Sequence, residues 1–183
     1  ICEDIWDEGF IDLQKENNLD LLINLSASPF TTSKKEERGN VFAKISEKLN
    51  IPLIYVNQTG GQDELVFDGT SSVINKQGDV TIELKSFATD SIQFNHEDIN
   101  NSSIKEKTSN RLKDLYDSLV LATKDYVEKN NFKGVLIGSS GGIDSALTAT
   151  IATDALGSEK VRTIMMPFKY TCLLYTSDAA DDL

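Results

Sequence analysis

The chain has 183 residues, and 18 Lys and Arg residues against 29 Asp and Glu residues give it a net charge of −11. This acidic balance, with no polybasic stretch, argues against nucleic acid or an anionic membrane surface as the main partner. With 39% hydrophobic and 26% charged residues, the composition is typical of a globular protein and excludes disorder throughout.

The cysteine content and the apolar runs bear on the compartment. Cys2 and Cys172 are too few for a disulfide framework, and no apolar run approaches the roughly 18 residues that a membrane span requires. We therefore predict a cytoplasmic protein in a reducing compartment. Because the chain begins with Ile1 on what reads as the end of a strand, we also expect an N-terminally truncated fragment.

The first third of the chain predicts a strand, a helix and a second strand. Residues 20–25 and 52–56 are short apolar runs typical of buried strands. Residues 33–50 between them carry apolar side chains at helical spacing, which predicts an amphipathic helix and thus a βαβ unit. The apolar positions of this helix are Val41, Phe42, Ile45 and Leu49.

Three further segments complete the first half. Residues 57–69 are rich in Gly, Asp and Gln and predict a loop, whereas residues 70–74 and 80–85 alternate about a polar turn and predict a hairpin. Residues 95–110 are polar without apolar periodicity, which indicates an inter-domain linker. We therefore assign residues 1–94 to a first domain.

The second half opens with a long helix and continues as a parallel α/β pattern. The helix has one apolar face, which predicts core packing; its members are Leu112, Leu115, Tyr116, Leu119, Ala122, Tyr126 and Val127. Residues 135–137 predict a strand, residues 146–156 a helix ended by Gly157, and residues 161–166 another strand stopped by Pro167. We assign residues 111–171 to this second domain.

A glycine-rich turn joins the strand at 135–137 to the following helix. Such a turn directs backbone N–H groups and the positive helix end at an anion, which predicts a phosphate site. Gly141 and Gly142 allow close approach, and Ser140 and Ser145 can donate hydroxyls. Asp144 would repel a phosphate unless a divalent cation lay between them, so Mg²⁺ is implied. The candidate ATP-binding residues are Gly138, Ser139, Ser140, Gly141, Gly142, Ile143, Asp144 and Ser145, with Asp144 also the metal ligand.

This octapeptide resembles the Ser-Gly-Gly-x-Asp-Ser pyrophosphate loop of the ATP pyrophosphatases. Those enzymes adenylate a carboxylate or carbonyl and expel pyrophosphate. The resemblance is specific for the superfamily and leaves the substrate open. The alternative is a glycine-rich loop that merely turns the chain.

Cys2 and two later loops carry a second resemblance. Residues 24–29 read Asn-Leu-Ser-Ala-Ser-Pro, and residues 57–69 contain Asn-Gln-Thr-Gly-Gly-Gln-Asp-Glu. Together with Cys2 they resemble the C-terminal half of the nitrilase-like, carbon–nitrogen hydrolase domain of glutamine-dependent NAD synthetases. Residues 121–127, 134–147 and 166–167 extend the resemblance into the synthetase domain of that family.

The resemblance implies a role for each matching residue. Cys2 would be the nucleophile of a Glu, Lys, Cys triad whose other two members precede it in the family, and the backbone N–H of Glu3 would help to hold the oxyanion. Ser28 and Lys34 would contact the glutamine substrate. Cys2 can alternatively be an inert buried thiol, and Lys34 a solvated lysine in the first turn of a helix.

The two resemblances together predict the fold class and the function. The fold would be α/β: the C-terminal part of a nitrilase-like α/β/α sandwich, followed by the start of a Rossmann-like parallel α/β domain. The function would be that of a glutamine-hydrolysing NAD synthase, in which ATP adenylates deamido-NAD, ammonia amidates it, and AMP and pyrophosphate leave. ATP, glutamine and deamido-NAD would be the ligands, with Mg²⁺, and we expect a homo-oligomer for the full-length parent.

Two other functions stay open. One is a different amidotransferase of the ATP-pyrophosphatase superfamily; the other is a non-catalytic protein that keeps ATP affinity without a complete triad. The fragment itself is expected to be inactive. Residues 172–183 match nothing expected of the family after Pro167, so we interpret them, with Cys172, as a non-native tail. Most of the deamido-NAD site would lie downstream.

Overall fold

The computed structural model describes residues 1–100 and 110–165, which divide into two compact units between Ser118 and Leu119. Both units contain strands and helices, so the chain is an α/β protein as predicted. Among the described residues, no helix is long and apolar enough to cross a membrane.

The first unit is built around a four-stranded sheet with the strand order β1-β2-β5-β6. Its strands are β1 Leu22–Ser26, β2 Leu53–Asn57, β5 Ser72–Ile74 and β6 Val80–Glu83, and its helices are α1 Glu8–Gln14 and α2 Lys34–Leu49. Short 3₁₀ helices occupy Cys2–Trp6, Lys15–Asn17 and His96–Asn100. β3 Thr59–Gln62 pairs with β4 Leu65–Asp68 in a separate sheet of two strands.

The strand pairing confirms the predicted βαβ unit. β1 and β2 are parallel, with Leu22 opposite Leu53, and α2 connects them. α2 starts directly after Ser33 and ends directly before Asn50, whose left-handed backbone (φ 55°) is a common helix stop. The predicted hairpin is also confirmed, because β5 and β6 are antiparallel.

The prediction of a loop at residues 57–69 was wrong. Most of this segment is the β3–β4 hairpin, in which Gly60 lies opposite Phe67. Leu65, Val66 and Phe67 favour a strand, and Asp63 turns the chain with a φ of 51°. The sequence did not predict β3 because glycine has a low propensity for strands. Gly60 and Gly61 are part of a strand here because they pair with Phe67 and Val66 of β4.

The prediction that residues 20–25 and 52–56 form buried strands holds for only one face of the sheet. One face packs with α2 and the 3₁₀ helix of Cys2 into the core, whereas Ile23 and Leu25 on the other face are 57% and 54% exposed. An apolar run predicts a strand, but it does not show which segments of the chain cover the two faces of the sheet. The core residues are Ile5, Ile11, Phe42, Ile45, Leu53, Tyr55 and Ile74.

Part of the segment predicted as a linker is regular. The 3₁₀ helix His96–Asn100 contacts β6, and Ile99 is buried. A single apolar residue in a polar stretch has no periodicity, so the pattern could not reveal this anchor. Residues 101–109 of that segment lie outside the described residues.

The second unit contains a parallel pair of strands joined by a helix. β7 Val135–Ser139 and β8 Val161–Met165 are parallel, and α4 Ile143–Leu156 connects them, followed by a 3₁₀ helix at Ser158–Lys160. This confirms the predicted α/β pattern. α4 begins three residues earlier than predicted. Pro167, Cys172 and the proposed tail lie outside the described residues.

The long helix is present as α3, Arg111–Lys129, but its apolar face is not the core stripe that was predicted. Val127 is buried with Ala155 and Leu156, whereas Leu112 is 80% exposed. Leu115, Leu119 and Tyr126 are exposed as well. Helical spacing places these side chains on one face and leaves open whether described residues cover that face.

Candidate active site

Cys2 is the first residue of the 3₁₀ helix Cys2–Trp6, so the prediction that it ends a strand was wrong. Its backbone is left-handed, with a φ of 51°, and its thiol is free and half-buried. The first hydrogen bond of this turn runs from the Asp4 N–H to the Ile1 carbonyl, 3.2 Å. The N–H of Glu3 precedes it and has no acceptor within the helix, which is the condition for donating to an oxyanion.

The 3₁₀ helix of Cys2 contacts β1, and the loop that follows β1 contains Ser28. Ser28 is buried, with 7% exposure. Its N–H donates to Asn57 Oδ1 (2.8 Å), and its carbonyl accepts from Asn57 Nδ2 (3.2 Å). One amide side chain therefore holds both backbone polar groups of Ser28.

Lys34 is the first residue of α2, and its ammonium lies 4.1 Å from the centroid of the Trp6 ring. It also lies 3.7 Å from a carboxylate oxygen of Glu37. Trp6 belongs to the same 3₁₀ helix as Cys2. The structure thus ties Lys34 to the cysteine segment through a cation–π contact, which a freely solvated lysine would lack.

A buried ion pair joins Arg38 of α2 to Asp68 of β4. The guanidinium of Arg38 donates to both carboxylate oxygens of Asp68, with a distance of 3.0 Å from Nη1 to Oδ1. Burial opposes the charge on Arg38, but the hydrogen bonds and attraction of Asp68 outweigh it and raise the Arg38 pKa. Burial raises the pKa of Tyr55, whose hydroxyl accepts from Arg38 (3.2 Å).

Sequence reasoning missed Trp6, Arg38, Asn57 and Asp68. Arg38 reads as one of several charged residues in the solvated first turns of a helix, and Asp68 as one of several polar residues in a loop. Arg38 and Asp68 are 30 positions apart in the chain, so a local sequence pattern could not show that they form an ion pair. The one available signal was Asn57, which directly follows the apolar run of β2. Functional residues are common where a strand passes into a loop.

The second predicted site is the turn Ser140–Gly142 between β7 and α4. Gly141 is left-handed, with a φ of 81°, which favours glycine. The Ser140 hydroxyl accepts from the Gly142 N–H (3.3 Å), and the Ser145 hydroxyl donates to the Gly142 carbonyl (2.9 Å). The first bond within α4 is donated by Ala146, so the N–H groups of Ile143, Asp144 and Ser145 have no acceptor within the helix.

Asp144 occupies the second position of α4, after Gly142 as the capping residue, and it is exposed. Asp144 therefore lies within the first turn of the helix and does not cap it. A carboxylate in the first turn of a helix is favoured by the helix dipole. That effect is the alternative to a metal role at this position.

A magnesium site at Asp144 can be compared with the residues around it. Among the described residues, no group of three or more His, Cys, Asp and Glu side chains is arranged to hold a metal ion. A complete protein-built cage is therefore absent from this part of the chain. One exposed carboxylate beside the glycine-rich turn would fit the manner in which Mg²⁺ binds to nucleotides, through one or two carboxylates, phosphate oxygens and water.

Comparison with known proteins finds one family model that matches the second half of the chain and relatives that match nearly all of it. The family model for NAD synthase matches residues 115–181. The glutamine-dependent NAD(+) synthetase of Acinetobacter baylyi is 40% identical over 185 residues, which cover 99% of this chain and 34% of that protein. The enzyme of the same name from Synechocystis is 38% identical, over 93% of this chain and 33% of that protein.

The solved structures agree with the sequences. The glutamine-dependent NAD+ synthetase of Acinetobacter baumannii, in complex with ADP, matches with a TM-score of 0.88 and 39% identity, over 98% of this chain and 35% of that one. The chain is homologous to the glutamine-dependent NAD(+) synthetases. This confirms the resemblance found from the motifs. The Cytophaga hutchinsonii synthetase, with a TM-score of 0.63 at 21% identity, shares the fold.

The similarity to glutamine-dependent NAD(+) synthetases extends across both units, but it involves only part of each relative. The chain spans about one third of the length of the relatives that it matches. Cys2, Ser28 and Lys34 lie in the first unit, and the glycine-rich turn lies in the second. The roles of these residues are therefore taken up as proposals.

Proposed function

We propose that this chain is the segment of a glutamine-dependent NAD synthetase that contains the glutaminase nucleophile and the phosphate loop. The observation that carries the proposal is the presence of both features in one chain: Cys2 in a 3₁₀ helix that contacts β1, the strand before the Ser28 loop, and the turn Ser140–Gly142 directly before α4. Below, the parent enzyme means the longer protein of which this chain would be a segment.

The first unit would supply the nitrogen. The Cys2 thiolate attacks the side-chain amide carbon of glutamine, the C–N bond breaks, and ammonia leaves with a proton from the catalytic acid–base. Water then hydrolyses the thioester to glutamate. The Glu3 N–H would hold the oxyanion, and Ser28 and Lys34 would bind the substrate. A glutamate base and a lysine from the parent enzyme would complete the triad.

The second unit would activate the acceptor. The N–H groups of the first turn of α4, with the Ser140 and Ser145 hydroxyls, would bind the phosphates of ATP. The carboxylate of deamido-NAD attacks the α-phosphate, and pyrophosphate leaves. Ammonia then attacks the adenylated carbon, and AMP leaves. Asp144 would hold Mg²⁺, which neutralises charge on the phosphates.

The finer features of the fold belong to the same proposal. The first unit would be the C-terminal part of a nitrilase-like sandwich, with a domain over residues 1–94 and a linker at 95–110. The second would be the start of a Rossmann-like ATP-pyrophosphatase domain over residues 111–171. A non-native tail at residues 172–183 stays a prediction from the sequence, and the family match over residues 115–181 does not support it. Parallel pairing of β7 with β8 around α4 supports the second assignment.

The chain alone would be inactive, because the glutamate base and the lysine implied for Cys2 precede it in the family. A homo-oligomeric parent enzyme in the cytoplasm stays a prediction. Another amidotransferase of the superfamily and a non-catalytic ATP-binding protein remain the alternatives. The similarity to synthetases in both units favours the synthetase over each of them.

One experiment separates the three. The parent enzyme is given ATP, deamido-NAD and glutamine labelled with nitrogen-15 in its side-chain amide, and the products are analysed by mass spectrometry. We expect NAD with the heavy nitrogen, together with AMP, pyrophosphate and glutamate. Transfer of the label to a different adenylated acceptor would favour another amidotransferase, and ATP binding without any product would favour the non-catalytic protein.

A further inference from the structure

The loop that contains Ser28 has few fixed points. It runs from the end of β1 to the start of α2 without a regular element, and Ser28 is its second residue. The Phe30 N–H donates to the Val66 carbonyl (2.7 Å). At Ser28 itself, Asn57 holds both the N–H and the carbonyl. The Ser28 side chain also hydrogen-bonds Tyr55, but the backbone of Ser28 is held by one amide side chain, that of Asn57.

Asn57 is in turn held from a second side. Its Nδ2 donates to Asp68 Oδ1 (3.2 Å), and its backbone N–H donates to the Ser71 hydroxyl (3.0 Å). With Oδ1 taken by the Ser28 N–H and Nδ2 shared between the Ser28 carbonyl and Asp68, the amide has one orientation that satisfies every partner. Asp68 thus decides which way Asn57 faces.

Asp68 is fixed by α2. Arg38 binds both of its oxygens, the Thr70 hydroxyl donates to it (3.0 Å), and all three residues are buried. A buried ion pair of this kind adds little net stability compared with apolar residues, so its effect here lies in geometry. Arg38 is four positions after Lys34, on the same face of α2.

We propose that Asn57, held by Asp68 and Arg38, is a positioning residue that fixes the Ser28 loop relative to Lys34, so that both meet one glutamine. This inference rests on the proposed function for the roles of Ser28 and Lys34. Asn57 itself touches neither the substrate nor Cys2 in this scheme. It acts through the backbone of Ser28.

The test compares two buried asparagines in the parent enzyme. Asn57→Ala removes the clamp, whereas Asn75→Ala removes a similar one, since Asn75 Oδ1 accepts from the N–H groups of Gln77 (3.0 Å) and Asp79 (2.8 Å) in the β5–β6 turn. We expect Asn57→Ala to raise the KM for glutamine about tenfold or more, with a smaller change in kcat. Synthesis from free ammonia should stay within about twofold of the wild type for both variants.

A second measurement examines the clamp without the reaction. Hydrogen exchange of the Ser28 amide, followed in the 183-residue chain, should accelerate in Asn57→Ala and stay unchanged in Asn75→Ala. If Asn57→Ala prevents folding, Asn57→Ser keeps a polar group that water can supplement, and the same increase in KM is expected.

Several results would overturn the inference. These are an unchanged glutamine KM in Asn57→Ala, an equal increase in Asn75→Ala, and unaltered exchange at Ser28. A wild-type parent enzyme that hydrolyses no glutamine would instead overturn the proposed function, and the glutamine role of the clamp with it. The exchange result then still decides whether Asn57 holds Ser28.

Discussion

At the scale of single residues, Tyr55 shows how the first unit uses a polar group in its core. Its ring lies 4.5 Å from that of Phe42, and its hydroxyl accepts from Arg38 and hydrogen-bonds the Ser28 side chain. Burial raises the Tyr55 pKa more strongly than the nearby guanidinium lowers it. The phenol is therefore held neutral above the pH at which an exposed tyrosine ionises.

That shift predicts a loss of stability in alkali. The unfolded chain releases the Tyr55 proton near pH 10 and the folded chain only at higher pH, so the contribution is complete below about pH 10 and is lost as pH rises through the folded pKa. Urea unfolding of the 183-residue chain between pH 8 and 11 measures it. Tyr55→Phe should show a smaller alkaline loss than the wild type, whereas Tyr126→Phe, at an exposed position, should match the wild type. Equal alkaline loss in the wild type and Tyr55→Phe would contradict this account.

Asp144 is the residue on which the magnesium proposal depends. Asp144→Asn keeps the size of the side chain but removes its charge, so pyrophosphate release by the parent enzyme should fall at least about tenfold, with glutamine or with ammonia. Asp154→Asn, in the last turn of the same helix, serves as the matched control. The measurement is pyrophosphate release across a Mg²⁺ titration. Release by Asp144→Asn at the wild-type level would leave Asp144 only its favourable interaction with the helix dipole.

At the scale of elements, the β3–β4 hairpin depends on a glycine just after its second strand. Gly69 has a φ of 66°, and a Cβ there would lie 2.3 Å from the Thr59 hydroxyl at the start of β3. Gly39 offers a contrast, because it lies within α2 and a Cβ there would meet nothing within 4 Å. The same substitution should therefore have opposite effects at the two positions.

We expect Gly69→Ala to destabilise the chain by about 1–3 kcal/mol or more, because both backbone strain and a steric clash oppose it. Gly39→Ala should stabilise it by about 0.5–1 kcal/mol, through helix propensity and a less flexible unfolded chain. Urea unfolding of both variants beside the wild type provides the comparison. Destabilisation by Gly39→Ala, or an unaffected Gly69→Ala, would contradict the packing described here.

The elements that the sequence predicts well are those with local start and stop signals. α2 lies within one residue of its predicted bounds, because Ser33 and Asn50 mark its ends. The β3–β4 hairpin escaped prediction because its register comes from pairing across the sheet. The sequence correctly predicts that α3 is a helix with one apolar face. It wrongly predicts that this face packs in the core, because periodicity does not show which segment covers a face.

The candidate site divides in the same way. Cys2, Ser28, Lys34 and the glycine-rich turn could be found from local motifs, because each is a short pattern with its own chemistry. The clamp at Ser28 could not, since its members Asn57, Asp68 and Arg38 come from three different elements. Contacts of that kind depend on the fold, and a single sequence does not reveal them.

At the scale of the whole molecule, the two candidate sites lie in separate compact units of a chain that spans about a third of the length of its relatives. The chemistry proposed for each is self-contained: one produces ammonia, and the other adenylates a carboxylate and accepts ammonia. Damage to one site should therefore leave the reaction of the other intact when its substrate is supplied directly.

The most direct test of this account is the rate of NAD formation by the Cys2→Ala parent enzyme, measured with glutamine and with ammonia as the nitrogen source. Only the thioester step needs the sulfur atom, so we predict that the glutamine-dependent rate falls to background while the ammonia-dependent rate stays within about twofold of the wild type. Retention of the glutamine-dependent rate, or loss of both rates together in a folded variant, would contradict the assignment of ammonia production to Cys2.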